Sequence, residues 1–230
     1  KSAQINKIDL FGASKTNNKK FTVLPNVENE LNAISKLVTN RSISRKYYLN
    51  SDFDKTNFFN SFSNSVDTVH ISTHFRLSGN IADNSQMLMG DGSTLTLQQL
   101  SDNLPKYKSN MIVLAACDTA NLNSTSDGQS TVGLSSIFQN QGAKYVLSSL
   151  WKISDLGSAD FMTLFYSLLF NNDINPPEAL KLTQNIFSSG SITSLPKHIV
   201  LLKDDYINNA ITNMTKEFLI KPNVKINYQN

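Results

Sequence analysis

Val66–Thr73 (VDTVHIST), Met111–Ala116 (MIVLAA) and Lys144–Leu150 (KYVLSSL) are the runs that decide the fold of this chain. Each is rich in β-branched or apolar residues, the side chains that fit a pleated surface. The second is apolar throughout, as expected of a strand covered on both faces. Helical periodicities lie between and beyond them, at Leu97–Leu104, Gly133–Asn140, Asp155–Phe170 and Pro177–Phe187. Upstream, Lys7–Gly12 (KIDLFG) reads as a first strand followed by a polar turn over Ser14–Lys20. Asn26 caps a helix on this reading, with acidic residues in its first turn and Val27, Leu31, Ile34, Leu37 and Val38 on its apolar side. Lys46–Asn50 is strand-like, and Ser51-Asp52 opens a second helix whose apolar side is Phe53, Phe58, Phe59 and Phe62. Strands alternating with helices predict a three-layer α/β sandwich around a mostly parallel central sheet. Met87-Leu-Met, Gly90-Asp-Gly-Ser and Thr94-Leu predict an inserted β-hairpin with a Gly-rich turn.

At 230 residues the chain is long enough to bury one sizeable core. We expect one domain over 1–195 with a C-terminal extension over 196–230 that belongs to it, an Asn- and Lys-rich segment with one edge-strand candidate, Ile199–Leu202, and one amphipathic stretch, Ile207–Leu219. The absence of Met at position 1 reads as a piece of a longer protein. A net charge of +3 gives no reason to expect nucleic acid or an anionic membrane as partner. No apolar run reaches the ~18 residues of a membrane span. The single cysteine cannot form an internal disulfide, which favours a reducing, cytoplasmic setting. Asn121–Thr131 (NLNSTSDGQST) is small, polar and aperiodic, and is expected to be a mobile loop that orders when a partner signals.

The chemistry follows from where two residues fall. His74 comes directly after the run ending at Thr73, and Cys117 directly after the run ending at Ala116. In a parallel sheet both positions emerge at one edge, where ligands of such sheets gather. If the two strands are neighbours, the side chains meet across about 5 Å, the strand spacing. A thiol with pKa near about 8.5 is mostly protonated at neutral pH, and an adjacent imidazole can take its proton and later return it to a leaving amine. The backbone amides of Cys117 and Phe75 are candidates for stabilising the oxyanion. Read one at a time, a strand-end histidine and a buried thiol would be ordinary structural residues; both at the ends of consecutive core strands suggest a catalytic pair. His70 and His74 stand four apart, but on a strand-like run with no Glu between them and no Cys pair nearby, so neither zinc nor any other cofactor is expected. No phosphate-binding glycine pattern occurs.

His-Ile-Ser-Thr-His74-Phe, Leu-Ala-Ala-Cys117-Asp-Thr-Ala and Gly142-Ala-Lys-Tyr-Val-Leu-Ser-Ser-Leu-Trp151 together resemble the CHAT domain, a caspase-related peptidase family. Leu24-Pro25 with its acidic helix, the Gly90-Asp-Gly-Ser hairpin, Gly133-Leu before a helix, and Pro177-Glu-Ala-Leu extend the resemblance from about Leu24 to Phe187. The resemblance implies a caspase-like sandwich and a catalytic dyad of His74 and Cys117. It also implies cleavage of peptide bonds in particular protein targets, an adjoining tetratricopeptide-type repeat domain, and roles in bacterial defence or regulated cell death. Phe75 stands where the family often has a small residue after the catalytic His, which implies an unusual pocket rim.

Asp155 resembles the acidic residue that pairs with arginine in the related separases, and would favour an Arg or Lys substrate by a charge-assisted contact. Ser154-Asp155 equally reads as the start of a helix, where a carboxylate suits the dipole. Asp118 either lines the pocket or hydrogen-bonds the loop after it. Trp151 is a wall of the substrate groove or a core residue, and Ser148 and Ser149 of the same strand are candidates for contacting the substrate backbone. Two rival functions stay open: a catalytically silent interaction module, and a cysteine amidase acting on small molecules.

Overall fold

A computed structural model describes residues 5–19, 21–76, 85–118, 127–148, 154–171, 174–189, 209–210 and 212–213, without the side chains of 116–118, 127–132 and 171. It divides into two compact units, Ala3–Ala159 and, with residues 1–2, Asp160–Asn230.

The first unit holds the sheet. Its strands are β1 (Lys7–Gly12), β2 (Ser44–Leu49), β3 (Thr68–Arg76), β4 (Gln86–Leu88), β5 (Thr94–Thr96), β6 (Ser109–Asp118) and β7 (Ala143–Ser148). Five of them run parallel in the order β2, β1, β3, β6, β7. β4 and β5 form the expected hairpin, and β4 pairs antiparallel with the end of β3, Phe75 opposite Met87 and Arg76 opposite Gln86. Phe75 also faces Asp118 of β6. The hairpin therefore continues the β1 side of β3, beyond the point where β1 stops with Gly12 opposite Ser72. Asp91 Oδ1 accepts from the Ser93 amide at 2.8 Å in its turn, and Gly92 takes φ +88°, a conformation open to glycine.

Helices cover both faces of the sheet. α1 (Asn26–Thr39) lies on one side. Gly12 faces it so closely that a Cβ there would meet Leu31 at 2.7 Å and Val27 at 2.8 Å. α2 (Lys55–Ser63), α3 (Leu97–Asn103) and α4 (Asp127–Gln141) lie on the other side, where Leu97, Leu100, Leu134 and Phe138 share a core with Phe11, Ile71, Ile112 and Leu114. Aromatic rings dominate that core. Phe11 stacks on Tyr48 at 4.6 Å and meets Phe53 and Phe58 at 5.2 and 5.6 Å, while Phe62 contacts Tyr107 at 4.8 Å. Each such pair adds about 0.5–1.5 kcal/mol beyond the area it buries. The three-layer α/β sandwich with a mostly parallel sheet and an inserted hairpin is thus the fold the sequence predicts.

Several boundaries differ for local reasons. α1 starts at Asn26 itself, with Pro25 in the cap position at φ −64°; proline suits a helix start because the N–H it lacks would go unpaired there. A 3₁₀ turn over Asn50–Asp52 precedes α2, and Asp54 caps the helix by accepting from Asn57 N at 2.7 Å, so Phe53 enters the core from outside the helix. Thr96 and Gln99 form a reciprocal capping box at α3. α4 begins at Asp127, so residues 127–131 of the expected mobile loop are helical. Residues 121–126 lie outside the described residues.

The second unit carries most of α5 (Asp155–Asn171) and all of α6 (Pro176–Ser189), both within two residues of their expected ends. Phe161 and Phe187 contact one another there at 5.0 Å. Ile199–Leu202 lies outside the described residues, and within Ile207–Leu219 only 209–210 and 212–213 are described, as helix. Among the described residues no helix is long and apolar enough to cross a membrane.

Candidate active site

β3 and β6 are adjacent and parallel, and their register sets His74 directly opposite Cys117. Both strands run further than their sequence patterns suggest, to Arg76 and Asp118, so the two residues sit inside the paired ladder rather than just past it. Pairing on both sides of Phe75 accounts for the extra length of β3, because the hairpin supplies a partner strand where β1 has ended.

His74 is fully buried. Its Nε2 lies 2.7 Å from the carbonyl oxygen of Thr22, and the Phe21 ring lies against it at 5.6 Å and 31°. A carbonyl oxygen only accepts, so Nε2 carries the proton and donates it. In a neutral imidazole the basic lone pair then resides on Nδ1. The carbonyl also stabilises the cation formed when Nδ1 takes a proton, because the bond from Nε2–H strengthens once its donor is charged.

Behind His74 on the same face of β3 stand His70 and Ser72, opposite α1. His70 Nε2 lies 2.8 Å from Glu30 Oε1, and Ser72 Oγ donates to Glu30 Oε2 at 3.2 Å. All three side chains are buried, at 0%, 2% and 1% exposure for His70, Ser72 and Glu30. Among the described residues no three His, Cys, Asp or Glu side chains converge as metal ligands.

Other predicted site residues fall in different places. The Phe75 ring is 3% exposed and belongs to the aromatic core on the α2 side, so it does not shape a pocket rim: the alternation of a strand turns it away from the face of His74. Asp155 Oδ2 accepts from the Asn26 amide at 2.8 Å and from Asn26 Nδ2 at 2.9 Å, joining the start of α5 to the start of α1. Ser154 Oγ accepts from Gly157 N at 3.0 Å, the N-terminal capping contact its sequence suggested. Ser148 Oγ lies 3.1 Å from Ser135 Oγ of α4. Asp118 is described only through its backbone, paired with Phe75. Ser149 and Trp151 lie outside the described residues.

Two features of the site escape sequence reasoning. The Thr22 contact is made by a backbone carbonyl, which any residue supplies. Glu30 did leave a signal: it sits three residues after Val27 and four before Ile34, a carboxylate on the apolar stripe of α1. A charge at that position requires a buried partner.

No curated protein matches the chain. Among solved structures, the Drosophila initiator caspase Dronc is similar with a TM-score of 0.48 and 10% identity, over 79% of this chain and 73% of that one. The family model of the CHAT domain matches residues 2–202. With that match over most of its length, the chain belongs to the CHAT domain family.

Proposed function

We propose that the protein is a cysteine endopeptidase in which Cys117 attacks a peptide carbonyl and His74 moves the proton. The observation that carries this reading is the register of His74 opposite Cys117, with Nε2–H of the histidine committed to the Thr22 carbonyl. Nδ1 of His74 takes the thiol proton, and the thiolate forms a bond to the carbonyl carbon as the C=O π pair moves onto oxygen. The Cys117 and Phe75 amides stabilise that oxyanion. On collapse the C–N bond breaks, the imidazolium gives its proton to the departing amine, and a water activated by the same imidazole then hydrolyses the thioester.

The reading extends to protein targets in the cytoplasm, to regulation by a partner or an adjoining tetratricopeptide-type repeat domain, and to bacterial defence or regulated cell death. These follow from the family and not from the site. For specificity, Asp155 is the proposed acidic partner of an Arg or Lys side chain; its two contacts from Asn26 come from uncharged donors. Trp151, Ser149 and Asp118 are the proposed neighbours of the substrate.

Labelling with an arginyl acyloxymethyl ketone beside a leucyl one tests the proposal. Labelling is expected to vanish in Cys117→Ala and to slow by about a hundredfold or more in His74→Ala. Preference for the arginyl probe, lost in Asp155→Asn, would support the specificity assignment. A wild-type protein that stays unlabelled with its regulatory domain present would sink the peptidase reading and leave the silent interaction module.

A further inference from the structure

We infer that the buried cluster of Glu30, His70 and Ser72 is a positioning device for the catalytic histidine, locking α1 in one register along β3 so that the Thr22 carbonyl meets His74 Nε2. This inference rests on the reading of His74 as the general base. Four observations carry it. First, one carboxylate bridges two side chains two residues apart on one face of β3, with Oε1 at 2.8 Å from His70 and Oε2 at 3.2 Å from Ser72. A bond at each oxygen opposes both sliding and rolling of α1, since hydrogen bonds weaken steeply with distance and angle.

Second, the geometry transmits that register to the base. α1 joins the parallel strands β1 and β2, so it runs antiparallel to β3 and its N-terminus lies toward the His74 end. From Glu30 back to Asn26 is a rise of about 6 Å along the helix, and from Ser72 on to His74 is about 6.6 Å along the strand. The two paths keep step, and a shift of α1 moves Thr22 off the imidazole. Third, the segment from Thr22 to α1 is short and tied: Leu24 N donates to Ser14 O at 3.2 Å and Val27 N to Leu24 O at 3.2 Å. Asp155 holds Asn26 as well, and Gly12 lets α1 sit close against β1.

Fourth, the chemistry is costly for packing alone. Glu30 occupies the apolar stripe of α1, where a leucine would fill similar space without desolvating a carboxylate. An apolar contact tolerates sliding that a bridged carboxylate does not.

The decisive variant replaces the whole cluster by apolar groups, Glu30→Leu/His70→Phe/Ser72→Ala, which leaves none of the three polar groups behind and is expected to fold. Two readouts follow it: the ¹⁵N shifts of the His74 ring, and the pH profile of Cys117 alkylation by iodoacetamide. We expect His74 to leave its single Nε2–H tautomer for a mixture, and alkylation at neutral pH to slow by about tenfold. Glu30→Gln, which keeps an acceptor for His70, stays close to wild type in both. A folded triple variant with unchanged His74 shifts and unchanged alkylation would overturn the inference. If the triple variant does not fold, Ser72→Ala decides, with a smaller change in the same direction expected and no change overturning it. His74→Ala separates this from failure of the underlying reading. A wild-type alkylation profile in His74→Ala would remove the base itself, whereas a profile lost there but kept in the cluster variants would remove only the positioning role.

Discussion

The two faces of β3 are built from opposite materials, although both are buried. Toward α1 the strand presents His70, Ser72 and His74, bonded to Glu30 and to the Thr22 carbonyl. Toward α2 it presents Val69, Ile71 and Phe75, part of a core crowded with phenylalanine rings. Thr73 lies between them in sequence and returns its hydroxyl to Leu88 O of the hairpin at 2.7 Å. The aromatic side contributes cohesion, since it is held by area and ring contacts that add up whatever their fine register. The polar side contributes little net stability after desolvation, but its directional bonds fix where each group stands. If His74 is the base we propose, one strand separates what holds the domain together from what aims its chemistry.

That division can be broken or sharpened by substitution. The largest effect on stability is expected on the aromatic side: Phe58→Ala should cost about 3–5 kcal/mol, read by denaturant unfolding, because it empties a fully buried ring site between Phe11 and Phe62. The fraction that remains folded should alkylate at Cys117 as fast as wild type. Loss of reactivity in that folded fraction would mean that the two faces are coupled. Next comes Glu30→Leu alone, expected to cost about 3 kcal/mol because it leaves a buried imidazole without its acceptor. The full apolar replacement of the cluster should recover most of that loss, so equal destabilisation by the single and the triple variant would contradict a polar face that adds little net stability.

The smallest effect is expected at Tyr107, whose hydroxyl donates to Phe138 O at 3.0 Å. Burial raises its pKa above the usual phenolic value. The folded protein therefore keeps the proton at a pH where the unfolded chain releases it. The unfolded state then binds fewer protons, and the contribution of Tyr107, complete below about pH 10, falls as pH rises beyond that. Tyr107→Phe should cost about 1 kcal/mol at pH 7, with the deficit shrinking above pH 10 in chemical denaturation. A deficit that stayed constant to high pH would place the hydroxyl's effect elsewhere.

Much of this was legible in the chain. β1, β3, β6, β7 and the hairpin lie where β-branched and apolar runs put them, and α3, α5 and α6 match their periodicities within two residues. His74 and Cys117 were legible because each closes a core run in consecutive parallel strands. Harder to read were the features that depend on a second segment. The strand ends moved outward because the hairpin offered β3 a partner. Helix α4 took in five residues whose small polar composition reads as loop, since composition reports only a weak preference. The Phe75 ring, expected at a pocket rim, went to the core because strand alternation decides its side.

The sequence by itself determined the alternation of strands and helices, the apolar runs that become the parallel sheet, and the two residues at the ends of its central runs. Those are local properties, set by periodicity and residue shape over a few positions. Only the tertiary structure decided that the polar residues of β3 face a buried carboxylate, that a backbone carbonyl 52 residues away chooses the tautomer of His74, and that Asp155 is bonded to Asn26. Such pairings are choices among distant groups: Glu30 shows in the chain only as a carboxylate on an apolar stripe, with nothing local to name its partners.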